Sequence, residues 1–131
     1  MSYKATTRGI TVTVEPDFLE DESAPLRDYY FWSYNIEIVN EGRETVQLLA
    51  RYWRITDASG YLQEVRGPGV VGEQPTLEPG DSFRYTSGVP LRTPSGIMQG
   101  SYTMELDDGE NFEVVIPAFS LDSPYTPQRM N

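Results

Sequence analysis

Residues 66–75 give the strongest indication of the fold class, and they read Arg66-Gly67-Pro68-Gly69-Val70-Val71-Gly72-Glu73-Gln74-Pro75. The pattern Gly-x-Gly-x-x-Gly holds a pyrophosphate in dinucleotide-binding folds, where a strand precedes the loop and a helix follows it. Here Pro75 and Pro79 bracket the segment after the loop, and a helix does not run through two prolines so close together. The sequence therefore predicts a tight glycine loop in an all-β context.

Apolar residues elsewhere recur at every second position, which is the period of a half-buried strand. The clearest run has its apolar positions at Tyr30, Trp32, Tyr34, Ile36 and Ile38. Further strands are predicted at residues 10–15 (stopped by Pro16), 45–56 (core face undecided), 61–65, 82–87, 102–106 and 112–116 (ended by Pro117). About seven strands with turns every 8 to 12 residues predict an antiparallel β-sandwich of fibronectin type III or immunoglobulin-like type.

Two residue types are missing from the 131 residues, and their absence limits the chemistry. There is no cysteine and no histidine, which excludes thiol nucleophiles, disulfides, Ser–His–Asp hydrolysis and zinc–imidazole sites. A net charge of −10 disfavours nucleic acid and anionic lipid as partners. Neither a long apolar run nor a secretory signal is visible, so we expect a cytoplasmic protein without a membrane partner.

Several motifs resemble the ApaG family in order and spacing. They are Val46-Gln47-Leu48-Leu49-x-Arg51-x-Trp53, Ile55-Thr56-Asp57, Gly67-x-Gly69-Val70-Val71-Gly72-x-Gln74-Pro75, Leu77-x-Pro79-Gly80, Phe83-x-Tyr85-x-Ser87-Gly88, Gly100-Ser101-Tyr102-x-Met104 and Ile116-Pro117-x-Phe119-x-Leu121-x-x-Pro124. The resemblance implies a single ApaG domain over residues 1–131, with a fibronectin-III-like sandwich and no established catalytic activity or cofactor. It also implies a link to cobalt resistance and magnesium efflux, and a role in protein–protein interaction.

The candidate site is the glycine loop, with no catalytic residue assigned. Its members are Arg66, Gly67, Gly69, Val70, Val71 and Gly72. One hypothesis is a purely structural loop whose glycines supply positive φ angles, and a second is a rigid edge recognised by a protein partner. A third is an anion nest that binds a pyrophosphate or nucleotide weakly, since Pro68 removes one amide donor. A Gly69→Asp variant is the sequence-based choice for testing partner binding.

Acidic clusters at residues 17–22 and at Asp107, Asp108 and Glu110 favour solubility and turn formation over a metal site. Oxygen ligands alone suit Mg²⁺ or Ca²⁺, and they would bind Co²⁺ weakly and unselectively. We therefore predict no metal site. The aromatic strand residues are predicted to form the core, with a minority exposed as anchors of an interface; they are Tyr30, Trp32, Tyr34, Tyr52 and Trp53. The tail over residues 122–131 is predicted to be loosely held.

Overall fold

The computed structural model describes residues 1–126, most of which lie in two antiparallel sheets packed face to face. The strands are β1 (Tyr3–Thr7), β2 (Ile10–Phe18), β3 (Tyr30–Asn40), β4 (Val46–Asp57), β5 (Leu62–Pro68), β6 (Thr76–Leu77), β7 (Ser82–Leu91), β8 (Gly96–Leu106) and β9 (Asn111–Leu121). The first sheet has the order β1-β2-β3-β7, and the second has the order β5-β4-β8-β9 with β6 paired to β4. The predicted antiparallel β-sandwich is confirmed.

The inward-facing residues of the two sheets form one shared core. Strand β3 buries every second residue from Tyr30 to Asn40, as its alternation predicts. Trp32 is 1% exposed, and its indole N–H donates a hydrogen bond to the carbonyl of Asp122, 2.8 Å away. Tyr102 and Phe119 are the next largest fully buried side chains, contributed by the second sheet. The aromatic-core prediction is correct for Tyr30, Trp32, Tyr34 and Trp53 and wrong for Tyr52, which is not a core residue.

A bulge in β4 explains why its core face could not be read from the sequence. Val46 and Leu48 are buried in the first part of the strand, and Trp53 and Ile55 are buried in the second part. The pairing of β4 with β8 shifts register between Leu48 and Ala50, which inserts one extra residue. An extra residue moves the inward-facing positions from even to odd numbers, so both faces of the strand look apolar in the sequence.

Two prolines predicted to end strands lie inside them. Strand β2 continues through Pro16 to Phe18, and β9 continues through Pro117 to Leu121. Pairing of β1 with β2 stops at Val14, and β9 is the edge strand of the second sheet. An edge strand tolerates proline because the missing N–H has no neighbouring strand to bond, so the predicted stops were wrong. Strand β1 was not predicted.

The start of the C-terminal tail is held by side-chain contacts, contrary to prediction. The hydroxyl of Ser123 donates to the carbonyl of Pro94 at 2.7 Å. The hydroxyl of Tyr125 donates to Glu20 at 2.5 Å, and the Tyr125 ring lies 6.1 Å from the ring of Phe18. The prediction of a loose tail is therefore wrong up to Thr126, and its remainder, residues 127–131, lies outside the described residues.

Three tyrosines in the core make the fold sensitive to alkaline pH. The hydroxyls of Tyr85 and Tyr102 lie 2.5 Å apart. Burial raises the pKa of both groups and that of Tyr34 above the usual value of about 10. In the unfolded chain these groups lose their protons from about pH 10 upward, and in the folded chain they keep them to higher pH. The stability that these buried, neutral hydroxyl groups provide is therefore complete below about pH 10. It is lost as the pH rises toward their pKa values in the folded chain.

We accordingly expect the free energy of unfolding to fall steadily above about pH 10. A Tyr85→Phe variant should show a shallower fall, because one group fewer gives up a proton on unfolding. Urea unfolding at a series of alkaline pH values measures both slopes. Equal slopes for the wild type and the variant would contradict the assignment of Tyr85 as a titrating core residue.

Candidate functional site

The glycine loop is a compact turn that follows directly on β5. Gly67 and Pro68 are the last residues of that strand. The amide of Gly69 donates to the carbonyl of Leu49 at 2.8 Å, which anchors the start of the turn to β4. Val70 is fully buried, and it exchanges two backbone hydrogen bonds of 2.8 Å with Glu73. The loop therefore has a fixed conformation, with Val71 and Gly72 at its exposed tip.

Two of the three glycines of the loop are favoured by their backbone conformation. Gly69 and Gly72 have φ angles of 60° and 81°, in the left-handed region that favours glycine. Gly67 does not, and the nearest group to its Cβ position is the guanidinium end of Arg51 at 2.9 Å, a flexible group that can move aside. Arg51 Nη1 also donates to the carbonyls of Pro68 and Gly69 at 2.9 and 3.0 Å. Arg51 thus braces the loop, a role that the sequence did not suggest.

Gly69 cannot carry a side chain without a change in the loop. A Cβ atom there would lie 2.2 Å from the carbonyl oxygen of Glu73, so the backbone would have to move. A Gly69→Asp variant would change the conformation of the loop together with its surface. It is therefore unsuitable as a test of partner binding, and Val71 is the better position.

The loop has few amides left for an anion. Those of Gly69, Val70 and Glu73 donate within the protein, and Pro68 has none. Among residues 1–126, this leaves the amides of Val71 and Gly72 at the tip. Of the amides of residues 69–72, which the hypothetical pyrophosphate nest would use, two therefore remain as donors.

Arg66 lies on the outer face of the second sheet. Its guanidinium carbon is 4.4 Å from the ring centre of Tyr52, and its Nη2 is 3.7 Å from the carboxylate of Glu64. Tyr52 donates to the same carboxylate at 2.6 Å, and this hydrogen bond raises the pKa of the tyrosine. The structure thus brings Gly67 and residues 69–72 together in one loop and gives Arg66 to a separate surface cluster.

Val71 has a backbone conformation that is unusual for its residue type. Its φ angle is 43°, and a β-branched residue with positive φ is a genuine outlier in protein structures. The positive φ belongs to the two-residue turn that Val70 and Glu73 close, where asparagine or glycine is the usual residue. The Val71 side chain is 56% exposed, so core packing does not account for valine at this position. Strained conformations of this kind cost about 1–3 kcal/mol and cluster at functional sites. The tip of the loop is therefore a candidate binding position.

A groove lies near the start of β5, between that strand and the end of β7. It has a volume of roughly 710 Å³ and is lined by Tyr29, Tyr61 and Leu91 among others. Tyr29 and Tyr61 are 40% and 66% exposed, and Leu62 beside them is 40% exposed. The groove has no signal in the sequence, because its walls come from three distant segments that only the sandwich brings together.

The predicted acidic clusters do not form a constellation with metal-ligand geometry. Within residues 1–126, no group of three or more carboxylates is placed to hold a metal ion. Glu20 instead accepts a hydrogen bond from Tyr125, and Asp108 accepts one from the backbone amide of Glu110 at 2.8 Å. These acidic residues have structural roles in turns.

The sequence of this chain is similar to those of known proteins over almost its whole length. A family model described as the ApaG domain matches residues 20–106. The chain belongs to the ApaG family. Protein ApaG of Parvibaculum lavamentivorans is 61% identical over 98% of this chain and 99% of its own length. Protein ApaG of Methylorubrum populi is 66% identical over 94% of this chain and 95% of its own. The resemblance noted in the sequence motifs is therefore confirmed.

A solved structure supports the same conclusion at the level of the fold. The crystal structure of the putative ApaA protein from Bordetella pertussis superposes on this ApaG-family chain with a TM-score of 0.86. The two are 45% identical, and the superposition covers 89% of this chain and 95% of the other. In residues 1–126, the ApaG-family fold contains no helix with the length and hydropathy needed to span a membrane.

Proposed function

We propose that this ApaG-family domain is a non-enzymatic protein-interaction module. Its partner contacts the tip of the glycine loop and the groove near the start of β5. The observation that carries the proposal is Val71, an exposed apolar residue that the fold holds in a strained conformation. A partner that buries this side chain recovers the hydrophobic free energy that the free domain leaves unused.

The surface around the loop and β5 adds support to this proposal. Large apolar side chains are exposed at the groove, at Tyr29 and Tyr61, and at the loop tip, at Val71. Of these, Tyr29 and Tyr61 line the groove, and aromatic anchors in a groove with polar groups at its margin are typical of binding hot spots. Asp57 and Arg92 supply charges of both signs at the groove, which could orient a partner.

The proposal includes an indirect effect on divalent-cation homeostasis. The ApaG resemblance implies a link to cobalt resistance and magnesium efflux. A chain without histidine or cysteine offers only oxygen ligands, which bind Co²⁺ weakly, so the effect would pass through a protein partner in the cytoplasm. The net charge of −10 favours such a partner over nucleic acid.

A Val71→Asn variant tests this proposal. Asparagine adopts the left-handed conformation more readily than valine, so the loop should keep its shape and the stability should not fall. Removing the apolar tip should weaken capture of the partner from a lysate of the native host by about tenfold or more, which corresponds to about 1.4 kcal/mol. Quantitative mass spectrometry of the captured proteins measures the change.

The matched control is Val115→Thr, which exchanges an exposed valine for a polar residue of the same shape. Val115 is 52% exposed and lies on β9, at the opposite edge of the second sheet from β5. This variant should capture the partner as well as the wild type does. If both variants retain full capture, or if no protein is enriched by the wild type, the proposed interaction surface is wrong.

A further inference from the structure

Strand β5 has one edge that pairs with β4 and one that pairs with no strand of residues 1–126. Two hydrogen bonds fix which backbone groups face each edge: Asp57 N–H to Tyr61 C=O and Gly69 N–H to Leu49 C=O. Because the pairing between these bonds is regular, odd-numbered residues of β5 bond to β4. The even-numbered residues Leu62, Glu64 and Arg66 therefore direct their N–H and C=O groups outward.

We infer that a second copy of this chain pairs with that free edge, antiparallel to β5 and related to it by a twofold axis at Val65. In this register Glu64 of each copy lies opposite Arg66 of the other, and Leu62 lies opposite Pro68. Since the opposed residues all face the free edge, their backbone groups can complete the ladder, with Pro68 contributing only its carbonyl. The β5-β4-β8-β9 sheets of the two copies would then join into one continuous sheet across the dimer.

Charge selects this register over its neighbours. A shift of the pairing in one direction places Glu64 opposite Glu64, and a shift in the other places Arg66 opposite Arg66. Both put like charges directly across a strand pair, which is destabilising. Of these three registers, only the one centred on Val65 places Glu64 of each copy opposite Arg66 of the other, which gives two ion pairs. The strand is then complementary to itself, as a twofold interface requires.

The charges and the central residue are exposed at this edge. Within one chain Arg66 and Glu64 both contact Tyr52, and their own ion pair is long and exposed at 3.7 Å, so it contributes little to the stability of the monomer. Val65 faces inward beside Trp53 and is 38% exposed, so the twofold axis would bury one valine against another. Strand β7 also has a free edge, but Arg84 is its only charged residue, and pairing of β7 with its own copy would form no ion pair.

A charge-swap experiment tests the dimer with this chain alone. Sedimentation equilibrium up to millimolar concentration should show a reversible dimer for the wild type. Glu64→Arg and Arg66→Glu should each weaken the dimer by about tenfold or more, because each variant places like charges opposite one another twice. An equimolar mixture of the two variants should form a heterodimer as tight as the wild type, because opposite charges then face each other again. The doubly exchanged chain, Glu64→Arg with Arg66→Glu, should also recover self-association.

Circular dichroism of each variant establishes that the fold is intact. Recovery in the mixture cannot come from a change in monomer stability, so it reports on contact between Glu64 and Arg66 of different copies. A wild type that stays monomeric up to millimolar concentration would overturn the inference. So would a wild-type dimer that both single variants leave unchanged, or a mixture of variants that does not associate.

Discussion

Replacing Trp32 by alanine is expected to lower the free energy of unfolding by about 3–5 kcal/mol. The side chain is 1% exposed, and its ring centre lies 5.4 Å from that of Phe18. Its removal leaves a cavity between the sheets and also leaves the carbonyl of Asp122 without the indole donor. Because a domain of this size has a total stability of about 5–15 kcal/mol, the variant should lose a large share of it. Urea unfolding followed by circular dichroism measures the loss.

A second variant of Trp32 separates the loss of packing from the loss of the hydrogen bond, and a variant of an exposed tyrosine is the control. Trp32→Phe keeps much of the ring but removes the N–H donor, so it should cost less than Trp32→Ala. Tyr61→Ala removes a tyrosine that is 66% exposed, and its effect should stay within about 0.5 kcal/mol. A small effect of Trp32→Ala, similar to that of Tyr61→Ala, would contradict the placement of Trp32 in the core.

The fold could be predicted where a strand has one buried face and regular pairing. Strand β3 meets both conditions, and its buried positions agree with its alternation of apolar residues. Strand β4 does not, because the bulge near Leu49 reverses its faces, and the bulge depends on pairing with β8. Proline was misread for a similar reason: its effect at Pro16 and Pro117 depends on whether a neighbouring strand needs its N–H, which is a property of the sheet.

The structural role of Asn40 also could not be predicted from its neighbours in the sequence. The sequence Asn40-Glu41-Gly42 reads as a turn, and a turn does follow β3. Asn40 itself is fully buried, and its amide group donates to the carbonyls of Glu44 at 2.7 Å and Leu77 at 2.9 Å. Because Leu77 is distant in the sequence, no local pattern could show that this asparagine joins the turn to β6.

The candidate site was predicted in part. The glycine pattern located the loop, and the prolines after it excluded a Rossmann helix. The pattern could not show that Arg51 braces the loop through the carbonyls of Pro68 and Gly69, since those contacts join two segments distant in the sequence. It also could not show that Arg66 packs on Tyr52. The strain at Val71 is a backbone property that residue type alone does not predict, because valine is ordinarily found in strands.

Gly100→Ala is expected to cost about 3 kcal/mol or more, a large effect for the addition of one methyl group. Gly100 lies opposite Trp53 in the middle of β8, where the pairing with β9 shifts register. A Cβ atom there would stand 2.0 Å from the carbonyl oxygen of Tyr52. Since that oxygen belongs to the backbone of a central strand, relief of the clash requires separation of β4 from β8.

Gly109→Ala is the matched control, because it makes the same substitution without the clash. Gly109 has a φ of 88° in an exposed turn, and nothing lies within 4 Å of its Cβ position. It should lose about 1 kcal/mol through backbone strain alone. Chemical unfolding of both variants separates the two mechanisms. If Gly100→Ala costs no more than Gly109→Ala, the close approach of β4 and β8 is not what requires glycine at position 100. If it costs several-fold more, the requirement comes from the distance between two backbones and not from the φ angle.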